Sequence, residues 1–518
     1  MKKPSPLLRN TIIMTAVNLI MRSVSVGFNA YLTSRIGSQG IGLFQLVMTV
    51  YSLAVTFSCA GMRLASMRMT VESASERSTD RFMLCAMGCG CTVGVILYTF
   101  ADIISLKRLG NACTAPMLRI LAFALPFTAM SSVLGGYFTA KGMILPYSFI
   151  QLIEQGIKTL AAMLLIRGAH TPQSACTAVI TAMVASEALS FLLSFALKKS
   201  AVNKGAADKT VRLKSFFRIA LPDAAGTCVR SILLTVEHLL IPKGFERSGE
   251  GSSAALAAYG NIHGMALPVI LYPAAIMTAL ASMLVPEFAE CAARGNKGRI
   301  DSMAARAIKI AVLFSMGTAG IMFIFSEGLS QCIYGDGQCA EYLRVLAPLL
   351  PIMYTDTTVD GILKGLDQQI YSMRYNIIDS AMCVALVLIL IPKYSVKGYI
   401  AILFISEIVN FSLSIHRLSK VCRLEINVAD SIIKPTVCVT ASFLSGLLLS
   451  PAQGSGKAAL TAVITVNAAV YVLLLMLTGS ISAQDIMWFK NIFSRGSESE
   501  KHGLGAARIN NRKRSPSH

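Results

Sequence analysis

The chain has 518 residues, of which 54% are hydrophobic and 14% are charged, and its formal net charge is +20. Soluble proteins carry about a quarter charged residues, so this composition excludes an ordinary soluble protein. The basic excess does not require a nucleic-acid partner, because membrane proteins retain Lys and Arg in their cytoplasmic loops and because no basic stripe here interleaves with aromatic residues.

Apolar runs recur along the chain at about twenty residues, the length at which a helix crosses a bilayer. A transmembrane barrel would instead show short alternating segments. We therefore predict an all-α polytopic membrane protein with about fourteen transmembrane helices. The predicted spans are 11–33, 41–66, 82–106, 116–140, 146–166, 174–197, 217–241, 256–286, 304–326, 341–366, 369–391, 397–418, 431–450 and 458–478.

The first span follows the basic stretch MKKPSPLLRN. It is too long for the core of a signal peptide and has no obvious cleavage site, so we predict an uncleaved helix. Arg22 lies near its middle. An arginine at that depth must face a wet cavity or a counter-ion, and its planar guanidinium fits two phosphate oxygens at once. Arg22 is therefore a candidate substrate ligand.

Span 2 ends in AGMRLASMRM, which places Arg63 and Arg68 toward the cytoplasm. Arg63 is a candidate contact for an anionic head group that enters from the inner leaflet. The alternative is that both side chains extend to the membrane surface.

The thirteen cysteines have no regular spacing and lie mostly in apolar segments, so they do not form a disulfide framework. Cys85, Cys89 and Cys91 are interpreted as small side chains at a helix contact rather than as metal ligands. Cys332 and Cys339 flank a predicted outer loop, where a disulfide is the less favoured possibility. We expect no metal and no cofactor.

Two stretches of sequence recur about 220 residues apart, which is typical of an internal repeat. RILAFALP (119–126) matches RVLAPLLP (344–351), and SEALSFLLS (186–194) matches SEIVNFSLS (406–414). The short stretches MRSV and VRSI also correspond. Spans 1–6 are thus predicted to repeat as spans 7–12 in the same orientation, giving two parallel six-helix lobes plus two extra helices. Parallel repeats predict a substrate site between the lobes near mid-membrane.

Lys and Arg are concentrated in alternate loops, so we predict that both termini are cytoplasmic and that the protein lies in the cell membrane. The predicted parts are an N-lobe (1–200), a cytoplasmic linker (201–216), a C-lobe (217–420), spans 13 and 14 (421–480) and a basic cytoplasmic tail (481–518).

Two pairs of intramembrane acids correspond in the repeat. Glu187 and Glu407 are equivalent residues of spans 6 and 12, and Glu154 of span 5 corresponds to Asp379. A carboxylate at that depth must face protein or water. We interpret these four acids as structural groups that brace neighbouring helices, with a place in the cavity as the alternative. Lys158, four residues after Glu154, is expected to pair with it.

Span 7 carries Arg230, the repeat partner of Arg22. Two guanidiniums facing each other across a pseudo-two-fold axis would suit a pyrophosphate, whereas the alternative for Arg230 is an ion pair with Glu237. Glu237 and His238 lie near the outer end of the span and are candidates for ion or proton coupling. The alternative is an interfacial pair satisfied by the next loop.

Span 10 contains Asp356, Asp360 and Lys364 at intervals of four residues, so the three side chains share one helix face. They are further coupling candidates, or they form a self-paired polar face. The sequence contains no phosphate-binding glycine loop, no Cys-x-x-Cys and no His-Glu-x-x-His motif, so an enzyme is not expected.

Two long stretches, SRIGSQGIGLFQLVMTVYSLAVTFSCAGMRLASMRMTVE (34–72) and AAYGNIHGMALPVILYPAAIMTALASMLVPEFAE (257–290), resemble the sporulation stage V protein B family. These are polysaccharide exporters of the MOP flippase superfamily. The resemblance implies a V-shaped pair of six-helix lobes, alternating access and an isoprenoid-pyrophosphate-linked sugar as cargo. Related flippases keep an essential arginine in span 1, which Arg22 matches. They often place a second basic residue two turns on, where this chain has Asn29, and they use spans 13 and 14 as a groove for the lipid tail.

The resulting hypothesis is a flippase or exporter for a lipid-linked oligosaccharide or peptidoglycan precursor. Its expected partners are the lipid-linked sugar pyrophosphate and membrane lipids, and the expected state is a monomer. One alternative is a MATE-type antiporter for cations or drugs, whose cavity would be ringed by acids. Another is a non-transporting membrane scaffold for cell-wall or spore-envelope assembly.

Overall fold

The computed structural model describes residues 6–73, 76–169, 171–200, 213–335, 337–424, 429–448, 457–482 and 487. Most of the predicted linker and almost all of the predicted tail lie outside these ranges. Within them the chain is helical, with short connections and no β-strand. The predicted class, an all-α polytopic membrane protein, is confirmed.

Eighteen α-helices are distinguished in these ranges. They are α1 (Pro6–Cys59), α2 (Met62–Ser73), α3 (Glu76–Ile103), α4 (Thr114–Ala122), α5 (Leu125–Ala140), α6 (Ile144–Ile166), α7 (Pro172–Ser200), α8 (Leu213–Arg247), α9 (Ser252–Tyr259), α10 (Leu267–Leu271), α11 (Ala274–Ala293), α12 (Lys297–Ile324), α13 (Ser326–Tyr334), α14 (Ala340–Leu346), α15 (Leu350–Gly365), α16 (Gln369–Val421), α17 (Lys434–Leu448) and α18 (Lys457–Leu477). Turns of π-helix cover Ile104–Leu109, Gly260–Ala266 and Ala429–Ile433, and a 3₁₀ turn covers Ala347–Leu349.

The predicted number of fourteen spans is not confirmed. By length and composition, the described ranges hold ten helices able to cross a membrane, or eleven if the bent pair α4 and α5 is one span. The predicted loops 34–40 and 392–396 are reduced to kinks, because α1 and α16 each join two helices across non-helical backbone, at Gly37 and at Ser395, and run for more than fifty residues in all. A helix of that length is about twice as long as a bilayer requires.

Predicted span 8 is divided by a break at Tyr272 and Pro273, between α10 and α11. Proline has no N–H, so the regular bonding of the helix cannot continue through it. Around the break, Tyr272 and Ala275 donate their backbone N–H groups to carbonyls three residues earlier. The carbonyls of Ile270 and Leu271 are therefore left for side-chain donors.

The predicted repeat is visible in two equivalent ion pairs. Arg119 binds Asp102 at 2.6 Å in the N-lobe, and Arg344 binds Glu327 at 3.0 Å in the C-lobe. In both pairs the acid precedes the arginine by 17 residues. The two lobes thus place matching sequence positions in matching contacts.

The lobes meet where glycines allow the backbones to approach closely. A Cβ at Gly42 of α1 would lie 3.2 Å from the backbone nitrogen of Gly260. A Cβ at Gly61, between α1 and α2, would overlap the backbone of Ala220 in α8. Close packing of this kind is how small residues promote contact between membrane helices. These two glycines therefore permit close backbone contacts between the lobes.

The disulfide considered between Cys332 and Cys339 is not formed, because both residues are free thiols. Cys339 is buried, and its Sγ lies 3.1 Å from Ser330 Oγ. The Cys339 thiol is thus hydrogen-bonded where α13 and α14 pack together.

Candidate functional site

A cavity of about 320 Å³ lies within the C-lobe, between α8, the α10–α11 break, α15 and α16. Its charged lining residues are Arg230, Asp356, Asp360, Lys364 and Glu407. The structure thus brings one predicted phosphate ligand and three predicted coupling residues into one hollow, together with Glu407, which was predicted as a structural acid.

The acids of α15 differ in how well their oxygens are satisfied. Asp360 accepts a hydrogen bond from Ser372 Oγ at 2.6 Å and lies 4.0 Å from Lys364 Nζ. Asp356, which is 8% exposed, accepts a hydrogen bond from Asn410 Nδ2 at 3.0 Å through Oδ2. Its Oδ1 has no hydrogen-bond partner in the described ranges, and neither has Asn410 Oδ1. Asp360 is thus fixed by its neighbours, whereas one carboxylate oxygen of Asp356 can still accept a hydrogen bond or bind a cation.

Arg230 extends from α8 into this cavity and is exposed there. Among the described residues it forms no hydrogen bond or ion pair, so the alternative of an ion pair with Glu237 is not realised. The carboxylate of Asp379 lies within its electrostatic reach, and Ser406 Oγ donates to that carboxylate at 2.7 Å. An unpaired guanidinium in a membrane cavity is available to an anionic ligand.

Arg22 reaches the same cavity wall from the other lobe. Its Nη1 donates a hydrogen bond of 2.7 Å to the carbonyl oxygen of Leu271, a residue that lines the cavity. The neighbouring Ser23 Oγ lies 2.9 Å from Tyr272 Oη. Two turns along α1, Asn29 donates to the carbonyl of Gly264. All three polar groups of α1 therefore bind the segment that precedes the Pro273 break.

The two equivalent glutamates have different surroundings. Glu187 accepts hydrogen bonds from Tyr51 at 3.0 Å and from Thr128 at 2.6 Å, which joins α7 to α1 and α5. This is the arrangement that a bracing role requires. Glu407 instead lines the C-lobe cavity, and the repeat position of Thr128 is occupied by Met353, which offers no hydroxyl.

Glu237 and His238 lie outside this cavity in a separate buried cluster. His238 Nδ1 lies 3.0 Å from Tyr259 Oη, and its ring centroid lies 4.7 Å from that of His263. His263 Nε2 lies 2.5 Å from Tyr399 Oη. The cluster binds α8 to the π-helical turn and to α16, and it is separate from the cavity that contains the coupling candidates of α15.

The remaining predicted residues of the N-lobe are dispersed. Arg63 is exposed on α2. No ion pair between Glu154 and Lys158 occurs in the described part of the chain, although Lys158 lies in the field of both Glu154 and Glu187. Gln155, on the same helix, donates to Ser25 Oγ at 3.0 Å and ties α6 to α1.

Sequence reasoning did not select Asn410, which fixes Asp356 in the cavity. A signal was present, because Asn410 follows Glu407 by three residues and so shares its helix face. Tyr354 was missed as well. Its hydroxyl donates to the carbonyl of Ile270, beside the carbonyl that Arg22 binds.

A second, apolar hollow of about 440 Å³ lies between α12, α18 and the chain that follows α18. Its lining includes Leu313, Phe314, Tyr471, Val472 and Leu475. It has the character of a groove for hydrocarbon rather than for a polar group. It lies where the resemblance predicted a contribution of the extra helices to a lipid-tail groove.

The sequence profile of the family described as polysaccharide biosynthesis protein matches residues 7–291, more than half of the chain. A second profile, MatE, matches residues 248–390. The chain is also 21% identical over 507 residues to stage V sporulation protein B of Bacillus subtilis (strain 168), covering 92% of this chain and 96% of the relative. These matches confirm the resemblance noted in the sequence.

Solved structures share the fold. The lipid II flippase MurJ in an inward closed conformation superposes with a TM-score of 0.71 at 13% identity, covering 92% of this chain and all of that chain. An inward-facing multidrug resistance MATE transporter of the MOP superfamily superposes with a TM-score of 0.62 at 14% identity, covering 80% of this chain and 98% of the other. At these identities the likeness concerns the fold alone.

Proposed function

The chain belongs to the polysaccharide biosynthesis protein family, and from that premise we propose that it is a flippase that moves a lipid-linked sugar across the cell membrane by alternating access. The cargo is an oligosaccharide or a peptidoglycan precursor carried on an isoprenoid pyrophosphate. The observation that carries the proposal is the position of two guanidiniums: Arg230 is unpaired inside the C-lobe cavity, and Arg22 meets the wall of that cavity from the N-lobe.

In this proposal the phosphates of the head group bind Arg22 and Arg230. Guanidinium groups suit this task because they remain charged and present paired N–H donors to phosphate oxygens. Asn29 and Arg63 are secondary candidates on the N-lobe side. The sugar occupies the polar cavity while the hydrocarbon tail stays in the membrane, along the apolar groove beside α12 and α18. The protein acts as a monomer with both termini in the cytoplasm.

The energy for net transport comes from an ion or proton bound at the acidic residues. Asp356 is the strongest candidate, because its Oδ1 is unpartnered while Asp360 is already bound to Ser372 and Lys364. Glu237 and His238 form the alternative coupling place, in their own cluster outside the cavity. A ligand can drive the lobes only if its affinity differs between the two states.

A flipping assay in proteoliposomes tests the proposal. Parent protein and the variants Arg22→Ala and Arg230→Ala are compared with defined lipid-linked sugars, and Arg247→Ala supplies a matched control at the end of α8. Each charge-assisted contact is worth about 1.5–3 kcal/mol, so each cavity variant should slow flipping by about 10- to 100-fold while the control is unchanged. Equal rates in all four proteins would contradict the site assignment.

A second candidate is a MATE-type antiporter for organic cations. The MatE profile covers residues 248–390, the part of the chain that contributes Asp356 and Asp360 to the cavity. Uptake of a cationic dye that is abolished by Asp360→Asn and unaffected by Arg22→Ala would favour this function. A scaffold without transport predicts that neither substrate moves and that Arg22→Ala still rescues a deletion phenotype.

A further inference from the structure

Arg22 uses only part of its hydrogen-bonding capacity in the contact with Leu271. A guanidinium has five N–H donors, and the Leu271 carbonyl takes one of them through Nη1. No other hydrogen bond from Arg22 occurs within the described ranges. The edge formed by Nε and Nη2 is thus free, and that edge is the one that binds a phosphate group in bidentate fashion. The contact with Leu271 and the binding of an anion are therefore compatible.

The carbonyl oxygen of Leu271 is available to Arg22 because the helix is broken at Pro273. Ala275, which would donate to Leu271 in a continuous helix, donates to Tyr272 instead. A backbone carbonyl at membrane depth must find another donor. The Arg22 guanidinium supplies it from the opposite lobe. The Pro273 break thus creates both the acceptor and the contact between the lobes.

The same Arg-Ser dipeptide occurs at the equivalent place of the other lobe, but it is bound differently. Ser23 contacts Tyr272 at 2.9 Å, and its repeat partner Ser231 contacts Thr56 at 3.2 Å, so both serines cross the interface between the lobes. Arg230, in contrast, donates no hydrogen bond to a carbonyl within the ranges that the structure describes. Arg22 is therefore bound across the interface, whereas Arg230 has no hydrogen-bond partner among the described residues.

We propose that the Leu271 carbonyl is a positioning group for an anion site on Arg22, and that anion binding and the closed contact between α1 and the α10–α11 break stabilise each other. The inference rests on the proposed function in one respect, namely that the head-group phosphate binds Arg22. It adds a consequence for the conformational change: a pyrophosphate head group stabilises the conformation in which α1 contacts the α10–α11 break. Ligand and conformation are linked because the guanidinium is oriented for the anion only when Leu271 holds it.

Photo-crosslinking measures this contact directly. The variant Tyr272→p-benzoylphenylalanine keeps an aromatic ring opposite Ser23, and mass spectrometry quantifies its capture of the α1 peptide that contains Ser23. The probe is geranylgeranyl pyrophosphate, and its binding to each protein is measured separately by titration. We expect the probe to raise the crosslinking yield by about threefold or more in the otherwise unchanged chain.

Two variants and one control interpret the result. Arg22→Ala should abolish the probe-dependent rise. Pro273→Ala keeps the arginine but restores an N–H and a continuous helix, so it should also abolish the rise and weaken probe binding. Arg68→Ala, which removes another exposed arginine of the N-lobe, should leave the rise intact. A melting temperature near that of the parent shows that each variant is folded.

The outcomes separate this inference from the proposed function. A chain that binds the probe through Arg22 but shows an unchanged or reduced yield overturns the positioning role, and leaves the phosphate assignment standing. A reduced yield would mean that the anion and the carbonyl compete for the guanidinium. A parent chain that does not bind the probe contradicts the phosphate assignment itself.

Discussion

Glu187 and Glu407 occupy equivalent positions in the two lobes, yet among the residues that the structure describes only Glu187 is bound by hydroxyl groups from neighbouring helices. Glu407 lines the C-lobe cavity. Equivalent positions of the repeat thus hold a helix brace in one lobe and part of a polar hollow in the other. The difference follows from the residue opposite, which is Thr128 in the N-lobe and Met353 in the C-lobe.

The two glutamates should respond differently to substitution. Glu187→Ala leaves the Tyr51 hydroxyl without its carboxylate acceptor and the Thr128 hydroxyl with only the Ala124 carbonyl, and an unsatisfied buried group costs about 1–3 kcal/mol, so the variant should unfold at a distinctly lower temperature. Glu407→Ala should unfold near the parent temperature but transport more slowly. Thermal unfolding in detergent together with the flipping assay checks both. Equal losses of stability in the two variants would contradict the division of roles.

Asp356 should control coupling to an imposed ion gradient. In Asp356→Asn the unpartnered carboxylate oxygen is replaced by a neutral amide, so a proton or sodium gradient should no longer accelerate transport, while exchange at equal concentrations continues. Flux is measured with and without each gradient. Asp223→Asn, eleven residues into α8 by the range Leu213–Arg247 and not among the cavity-lining residues, is the control and should keep the response. A parent-like response in Asp356→Asn would remove this residue from the coupling site.

We expect Asn410 to affect stability and ion coupling through its hydrogen bond to Asp356. Asn410→Ala removes the hydrogen bond to Asp356 Oδ2, leaving a buried carboxylate without its amide donor, and a hydrogen bond to a charged group is worth about 1.5–3 kcal/mol. We expect reduced stability and altered gradient dependence together. If Asp356→Asn and Asn410→Ala act through one network, the double variant should show much less than the sum of the single effects.

The apolar groove should select for the lipid tail. Ala468 of α18 lines the groove, so Ala468→Phe should obstruct it and slow the flipping of long-chain substrates more than that of short-chain analogues. Val466, two residues away and 48% exposed, is not among the lining residues and supplies the control Val466→Phe. The ratio of long-chain to short-chain rates is the measurement. A ratio that is equal in both variants would exclude the groove from tail binding.

Much of the architecture follows from sequence because apolar length and repeated motifs are local signals. The correspondence of RILAFALP with RVLAPLLP predicted equivalent positions, and Arg119 and Arg344 indeed form matching ion pairs. The positions of the helix breaks were harder to predict from the sequence. The predicted loops around Gly37 and Ser395 are reduced to kinks at which two helices join directly, so α1 and α16 each extend for more than fifty residues.

The site was predictable only in part. Charged residues at membrane depth are conspicuous in the sequence, which is why Arg22, Arg230 and Asp356 were selected as candidates. Their partners were not, because the acceptor for Arg22 is the backbone carbonyl of Leu271, and a carbonyl has no residue type of its own. The proline at 273 was the available sign that this carbonyl would be left without its helical donor.

The central claim is that Arg22 and Arg230 together form a site for a pyrophosphate head group. Equilibrium binding of geranylgeranyl pyrophosphate to the purified protein tests it most directly, with the double variants Arg22→Ala/Arg230→Ala and Arg167→Ala/Arg247→Ala compared at equal ionic strength. The account predicts that the first double variant binds at least about 100-fold more weakly than the parent and that the second binds as the parent does. Equal affinity in all three proteins would contradict it.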